Sequence, residues 1–321
     1  MQDVTYNLYP ELEIIESKFL NAGDSHEVYY EICGNPLGQP VVFLHAGPGS
    51  GCSPTQRRFF DPTYYCIILI DQRGCGRSKP LGAITHNTTD DLVNDIDAIR
   101  QALNIKEWLV FGGSWGSTLA LCYAIAFPSH VTGLILRGIF LSRPSELHWF
   151  LGEVKQFYPD PWHLLCEFLP ANQRHNPIMA YEALIFSNNT SISIPAAIRW
   201  NAFESSIMSL LPRPANTAEV NGEVELARAR VQIHYIQNHC FVGERDLLAE
   251  AQEKLSHIPT QIIQGRYDMV CPPITAWELS RAMPHATLHI IPDAGHSAME
   301  VGVTSALVAA TEQFKAFSKI D

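Results

Sequence analysis

The chain has no C-x-x-C pair, although its 321 residues include eight cysteines (Cys33, Cys52, Cys66, Cys75, Cys122, Cys166, Cys240 and Cys271). Scattered in this way they read as reduced thiols of a cytoplasmic protein, neither a disulfide framework nor a zinc site. H-E-x-x-H and G-x-G-x-x-G are also missing, so no metal and no nucleotide cofactor is implied. Basic residues are in short supply: 22 Lys and Arg against 33 Asp and Glu give a formal net charge of −11. That balance argues against nucleic acid or an anionic membrane as partner, because phosphate binding rests on neutralisation by cations. Met1 to Leu20 lacks a basic start followed by an apolar core, being interrupted by Asp3, Glu11, Glu13 and Glu16, and no signal peptide is read there. One charge-free stretch, Leu109 to Phe127, is long enough to suggest a membrane span. Gly112, Gly113, Ser114, Gly116 and the following Pro128 divide it instead into a buried strand, an elbow and a core helix. Internal repeats and low-complexity tracts are absent.

What is present centres on Gly112-Gly113-Ser114-Trp115-Gly116, a G-x-S-x-G pentapeptide between the apolar runs Trp108-Leu109-Val110-Phe111 and Thr118-Leu119-Ala120-Leu121. A strand, a small-residue turn and an apolar helix in that order lift a serine onto a strained elbow with its hydroxyl exposed. Other apolar runs of strand length are Val41–Leu44, Cys66–Ile70, Leu134–Leu136, Gln261–Ile263 and Leu288–Ile291. Runs apolar on both faces and separated by helical patterns predict a parallel sheet covered by helices. One such helix is legible from Asp90 to Leu103: Leu92, Ile96, Ile99 and Leu103 share a face, and the acids crowd its N-terminal end.

Between about Pro144 and Asn238 the strand rhythm stops, and Trp, Phe and Leu recur at helical spacing punctuated by Pro159, Pro161, Pro170 and Pro195. The organisation expected is an α/β core over residues 1–143 and 239–321, interrupted by a helical cap over residues 144–238.

A serine hydroxyl needs a base to take its proton, and the base needs an acid to hold its tautomer. Asp268 follows the run ending at Ile263, and His296 follows the run ending at Ile291, so both emerge from the sheet edge that carries Ser114. Asp293 is the rival acid. His45, His234 and His285, among thirteen histidines, carry no such positional signal. Donors for a developing oxyanion are expected from the backbone of Trp115 and from the loop His45-Ala46-Gly47-Pro48-Gly49, with Gly47 the candidate there.

Taken in order, His45–Gly49, Asp71-Gln72-Arg73-Gly74-Cys75-Gly76-Arg77-Ser78, Gly112–Ser117, Leu136-Arg137-Gly138, Gly265-Arg266-Tyr267-Asp268 with Cys271-Pro272, and Ala294-Gly295-His296 resemble the proline iminopeptidase family. The resemblance spans nearly the whole chain. It implies an α/β-hydrolase fold with a helical cap, release of N-terminal proline from short peptides, Ser114 as nucleophile, Asp268 as orienting acid and His296 as base. It further implies that two cap glutamates hold the substrate's charged amine. Glu204 matches the first, whereas the second falls on Gln232, and Ala46 stands where the family usually has a glycine. Two other readings accompany this one: an esterase or amidase with altered acyl specificity, and a catalytically silent binding protein.

Overall fold

Among the described residues, six of eight strands form the parallel part of a single sheet, and their apolar runs alternate between its two faces. A computed structural model describes residues 5–212 and 220–317. The strands and helices follow in the order β1 (Ile14–Asn21), β2 (Glu27–Gly34), β3 (Gln39–Leu44), β4 (Tyr65–Ile70), α1 (Thr89–Ala102), β5 (Trp108–Gly113), α2 (Trp115–Ala126) and β6 (Val131–Arg137). Five helices come next: α3 (Pro144–Leu151), α4 (Pro159–Glu167), α5 (Pro177–Ile185), α6 (Thr190–Ser206) and α7 (Gly222–Gln237). The chain then returns to the sheet through α8 (Leu247–Lys254), β7 (Thr260–Gly265), α9 (Pro273–Ala282), β8 (Ala286–Ile291) and α10 (Val301–Phe317).

The sheet order is β1-β2-β4-β3-β5-β6-β7-β8. β1 pairs with β2 and β2 with β4 in antiparallel fashion, and every later pairing is parallel. A register irregularity interrupts the β1–β2 ladder between Ile14 and Glu16. Side chains on a strand point to alternate faces. Val42, Leu44, Ile68, Ile70 and Val110 accordingly enter one core, with α1 and α2, while Val41, Phe43, Ile67, Leu69 and Leu109 enter a second beneath α10. α2 is buried on nearly every side, as befits an apolar helix lying across the middle of a sheet. α1 starts at a capping box in which the Thr88 hydroxyl accepts from the Asp91 N–H and the Asp91 carboxylate accepts from the Thr88 N–H at 2.9 Å.

A third apolar cluster, built from Leu147, Leu165, Tyr181, Trp200, Phe203 and Ile233, belongs to the helices between β6 and β7. Pro195 does not end a helix there but lies inside α6, whose cap is Asn189 and whose first residue is Thr190. Burial of one face of α6 on α7 outweighs the single N–H that the proline withholds. The register Leu44–Ile70, Leu44–Gly112 and Gly113–Arg137 brings the C-terminal ends of β4, β3, β5 and β6 level. In open α/β sheets that edge is where ligands bind.

Candidate active site

Ser114 follows β5 directly and holds φ 57°, ψ −126°, a backbone conformation that a non-glycine residue keeps only when its surroundings enforce it. Here they do. Its N–H donates to the Arg137 carbonyl at 2.7 Å, and Gly116 packs so closely against β3 that a Cβ would stand 2.2 Å from the Leu44 carbonyl oxygen. The small residue lets α2 start flush with the sheet.

Asp268 and His296 come from the loops after β7 and β8. His296 Nδ1–H donates to Asp268 Oδ2 at 2.7 Å, and both side chains are buried. The carboxylate also accepts from the Val270 N–H at 3.0 Å, the Cys271 N–H at 2.7 Å and Gln264 Nε2 at 3.0 Å. Such a cradle fixes the acid, which in turn fixes the imidazole tautomer. Asp293, the other candidate acid, is exposed.

The remaining imidazole nitrogen faces a residue to which the sequence assigned no role. Arg137 Nη1 donates to His296 Nε2 at 3.0 Å and to the His296 carbonyl at 2.8 Å. Arg137 is buried at the end of β6; burial pushes its pKa down, and the nearby Asp268 carboxylate opposes that push. Cys271 is buried as well, its thiol pushed well up by desolvation and then by Asp268.

The loop with Gly47 is held by its neighbours. His45 Nδ1–H donates to the Ala46 carbonyl at 2.8 Å, and His45 Nε2 accepts from the Gln72 N–H at 3.0 Å. The Gln72 side chain donates to the His45 carbonyl at 2.9 Å and accepts from Trp115 Nε1 at 2.8 Å. Gln72 thus ties both segments that carry candidate oxyanion donors. Behind it Asp71 accepts from the Cys52 N–H at 2.7 Å and from Arg77 Nε at 2.7 Å, and Arg77 and Arg57 both pair with the buried Glu31 at 2.6 and 2.7 Å. The Asp71–Ser78 motif is therefore the brace of the loop after β4.

Ser114, Gly47, Glu204 and Gln232 line one narrow cleft with a free volume of about 40 Å³. Phe140, Leu147, Phe150, Ile236 and Val270 supply its apolar wall. Glu204 of α6 and Gln232 of α7 make a polar end. Gln232 Nε2 donates to Glu204 Oε1 at 2.9 Å, Gln232 Oε1 accepts from Trp200 Nε1 at 2.6 Å, and Arg228 Nη2 donates to Glu204 Oε2 at 2.6 Å. Trp115, Asp268 and His296 are buried and do not line the cleft. Among the described residues no cluster of three or more His, Cys, Asp or Glu side chains is arranged to hold a metal ion, and no helix is long and apolar enough to cross a membrane.

A family profile described as the alpha/beta hydrolase fold matches residues 39–177 and 186–303. A proline iminopeptidase of Arabidopsis thaliana is 46% identical over 312 residues, covering 96% of this chain and 82% of its own. The proline iminopeptidase of Xylella fastidiosa is 45% identical (96% and 99% covered), and that of Neisseria gonorrhoeae 43% (95% and 98%). Among solved structures, an alpha/beta hydrolase enzyme from a deep-sea metagenome library superposes with a TM-score of 0.62 at 18% identity over 95% of this chain and 99% of its own. An esterase from Exiguobacterium antarcticum does so with 0.57 at 20% identity, covering 94% and 99%.

Proposed function

The chain belongs to the proline iminopeptidase family of α/β hydrolases, and from that premise we propose that it releases N-terminal proline from short peptides by way of an acyl-enzyme formed on Ser114. The observation that carries the assignment is the strained Ser114 elbow opening into the same cleft as Glu204, with the Asp268–His296 pair behind it.

In this reaction Ser114 Oγ attacks the prolyl carbonyl as His296 Nε2 takes its proton, and Asp268 keeps Nδ1 protonated and stabilises the imidazolium that forms. Nε2 exchanges its Arg137 partner for Ser114 as substrate seats. Backbone N–H groups of Trp115 and of the Gly47 loop take the oxyanion. His296 then returns the proton to the leaving amine, and water attacks the acyl-enzyme by the same route. The apolar wall receives the pyrrolidine ring, and the Glu204 end receives its nitrogen, with Gln232 beside it. The eight free cysteines support a cytoplasmic place of action.

Replacement of Ser114 by Ala tests the assignment. Hydrolysis of a prolyl arylamide should fall by roughly three to six orders of magnitude with the fold intact, and a phosphonate probe should label Ser114 alone. Retained turnover, or labelling of another serine, would remove Ser114 from the reaction. Comparison with simple ester and N-acylprolyl substrates separates the aminopeptidase from an esterase or amidase of altered specificity.

A further inference from the structure

Glu204, the carboxylate that the proposed function asks to receive the substrate's ammonium, is already paired with a cation of its own chain. We propose that Arg228 is a specificity-determining residue: a displaceable internal counter-ion that competes with the substrate's N-terminal ammonium for Glu204. The inference rests on the aminopeptidase reading above.

Arg228 Nη2 lies 2.6 Å from Glu204 Oε2, and Gln232 Nε2 occupies Oε1. With Gln232 uncharged, Glu204 and Arg228 cancel, and this end of the cleft carries no net charge for an ammonium to meet. An ammonium placed beside Glu204 with Arg228 still seated would face a like charge at close range, in surroundings where water screens it poorly. Glu146, the other carboxylate on the cleft, offers no substitute. It accepts from the Leu141 and Arg143 N–H groups at 3.0 and 2.9 Å and from the Thr275 hydroxyl at 2.7 Å.

The structure also shows which partner can leave. The Glu204 side chain is 8% exposed and the Arg228 side chain 26%, so the arginine has the route to water. Its seat is incomplete, because Arg228 Nε is buried without a hydrogen-bond partner among the described residues. A group held by one strong contact and one unmet donor leaves more readily than a fully satisfied one. An N-acylated proline brings no charge and has no need to displace Arg228.

The test compares the natural chain with Arg228→Gln, Arg228→Met and Arg228→Lys on prolyl and N-acetylprolyl arylamides at one ionic strength. The ratio of kcat/KM, free amine over N-acetyl, should rise about tenfold in the Gln and Met variants. The gain should lie in KM for the free-amine substrate, and Arg228→Lys, which keeps the cation, should stay close to the natural ratio. In parallel, pyrrolidine would be titrated as a cationic inhibitor of 4-nitrophenyl acetate hydrolysis. Its Ki should fall about tenfold in the Gln and Met variants. Unchanged or lowered ratios, or unchanged Ki values, in the folded variants overturn the inference. If prolyl arylamide is turned over by none of the four proteins while the ester is hydrolysed, the aminopeptidase reading fails, and the pyrrolidine titration still decides whether Arg228 guards Glu204. Should the Gln variant not fold, the Met variant and the Lys control carry the same comparison.

Discussion

His296 makes two directional contacts with opposite consequences. Asp268 at 2.7 Å holds the Nδ1 proton in place, which readies Nε2 to act as a base, whereas Arg137 at 3.0 Å occupies the lone pair that would do so. Nε2 can act as a base only once it changes partner. Gln232 likewise faces both ways, giving a hydrogen bond to Glu204 and accepting one from Trp200. A glutamate at 232 would keep the Trp200 bond and set a second carboxylate beside Glu204, leaving one negative charge beyond the one Arg228 balances for an arriving ammonium to neutralise. Gln232→Glu should therefore raise kcat/KM for prolyl arylamide by roughly ten- to hundredfold, about 1.4 to 3 kcal/mol, with little change on N-acylprolyl substrates. Steady-state kinetics on both substrates checks this; equal effects on the two would mean that position 232 does not read the amine. Ser114, Asp268 and His296 could be picked out in sequence because each follows an apolar strand run. What Arg137 and Arg228 touch could not: Arg137 sits in a matching segment and Arg228 on a helix, but the partner of each comes from what the fold sets beside it.

At the scale of elements, the contact that matters most is between α7 and the loops of the core. α7 carries both Arg228 and Gln232, and it approaches the Gly47 loop so closely that a Cβ on Gly49 would stand 2.6 Å from the Arg228 carbonyl oxygen. Gly49 also has φ +106°. Gly49→Ala should cost about 1–3 kcal/mol from its torsion alone and shift α7 relative to Ser114. The expected result is a lower midpoint in denaturant titration together with a raised KM for prolyl arylamide; loss of stability with KM unmoved would show that α7 is not seated through this loop. The six parallel strands were legible to within a few residues, since each is an apolar run bounded by turn formers, buried in every strand but the half-exposed edge strand β8, and so was α1. β1 and β2 were not. β1 is exposed along nearly its whole length, and β2 buries Glu31, which pairs with Arg57 and Arg77, both distant in sequence. The helices between β6 and β7 were legible as a group and not singly, because they pack on one another about a shared cluster and tolerate a proline inside α6.

For the molecule as a whole, acid should act in two stages. Burial pushes His45, His234 and His289 below their ordinary 6.5. The unfolded chain then takes up protons near that value which the folded chain declines, so stability rises with pH through this interval and is lost as pH falls below about 6.5. Fully buried His45 contributes a slope of up to about 1.4 kcal/mol per pH unit. Asp71, which burial alone would push up, is held below its ordinary 3.8 by Arg77, and its share is lost only in stronger acid. Unfolding free energies from denaturant titrations between about pH 5 and pH 8 should increase with pH up to the histidine range and then level; a curve that falls over that range would contradict the burial of these imidazoles.

The irregular pairing at the start of β1 bears on how copies of this chain meet. An outermost strand exposes unpaired N–H and C=O groups, and a straight one can be extended by the strand of a neighbour. In β1 the ladder slips between Ile14 and Glu16, and Glu16 and Lys18 form an exposed pair just beyond the slip. The slip twists the rim out of line and the charges keep it wetted. Ile14, Ile15 and Phe19 can thus stay exposed on a rim that offers a neighbour's strand no straight, uncharged ladder to extend.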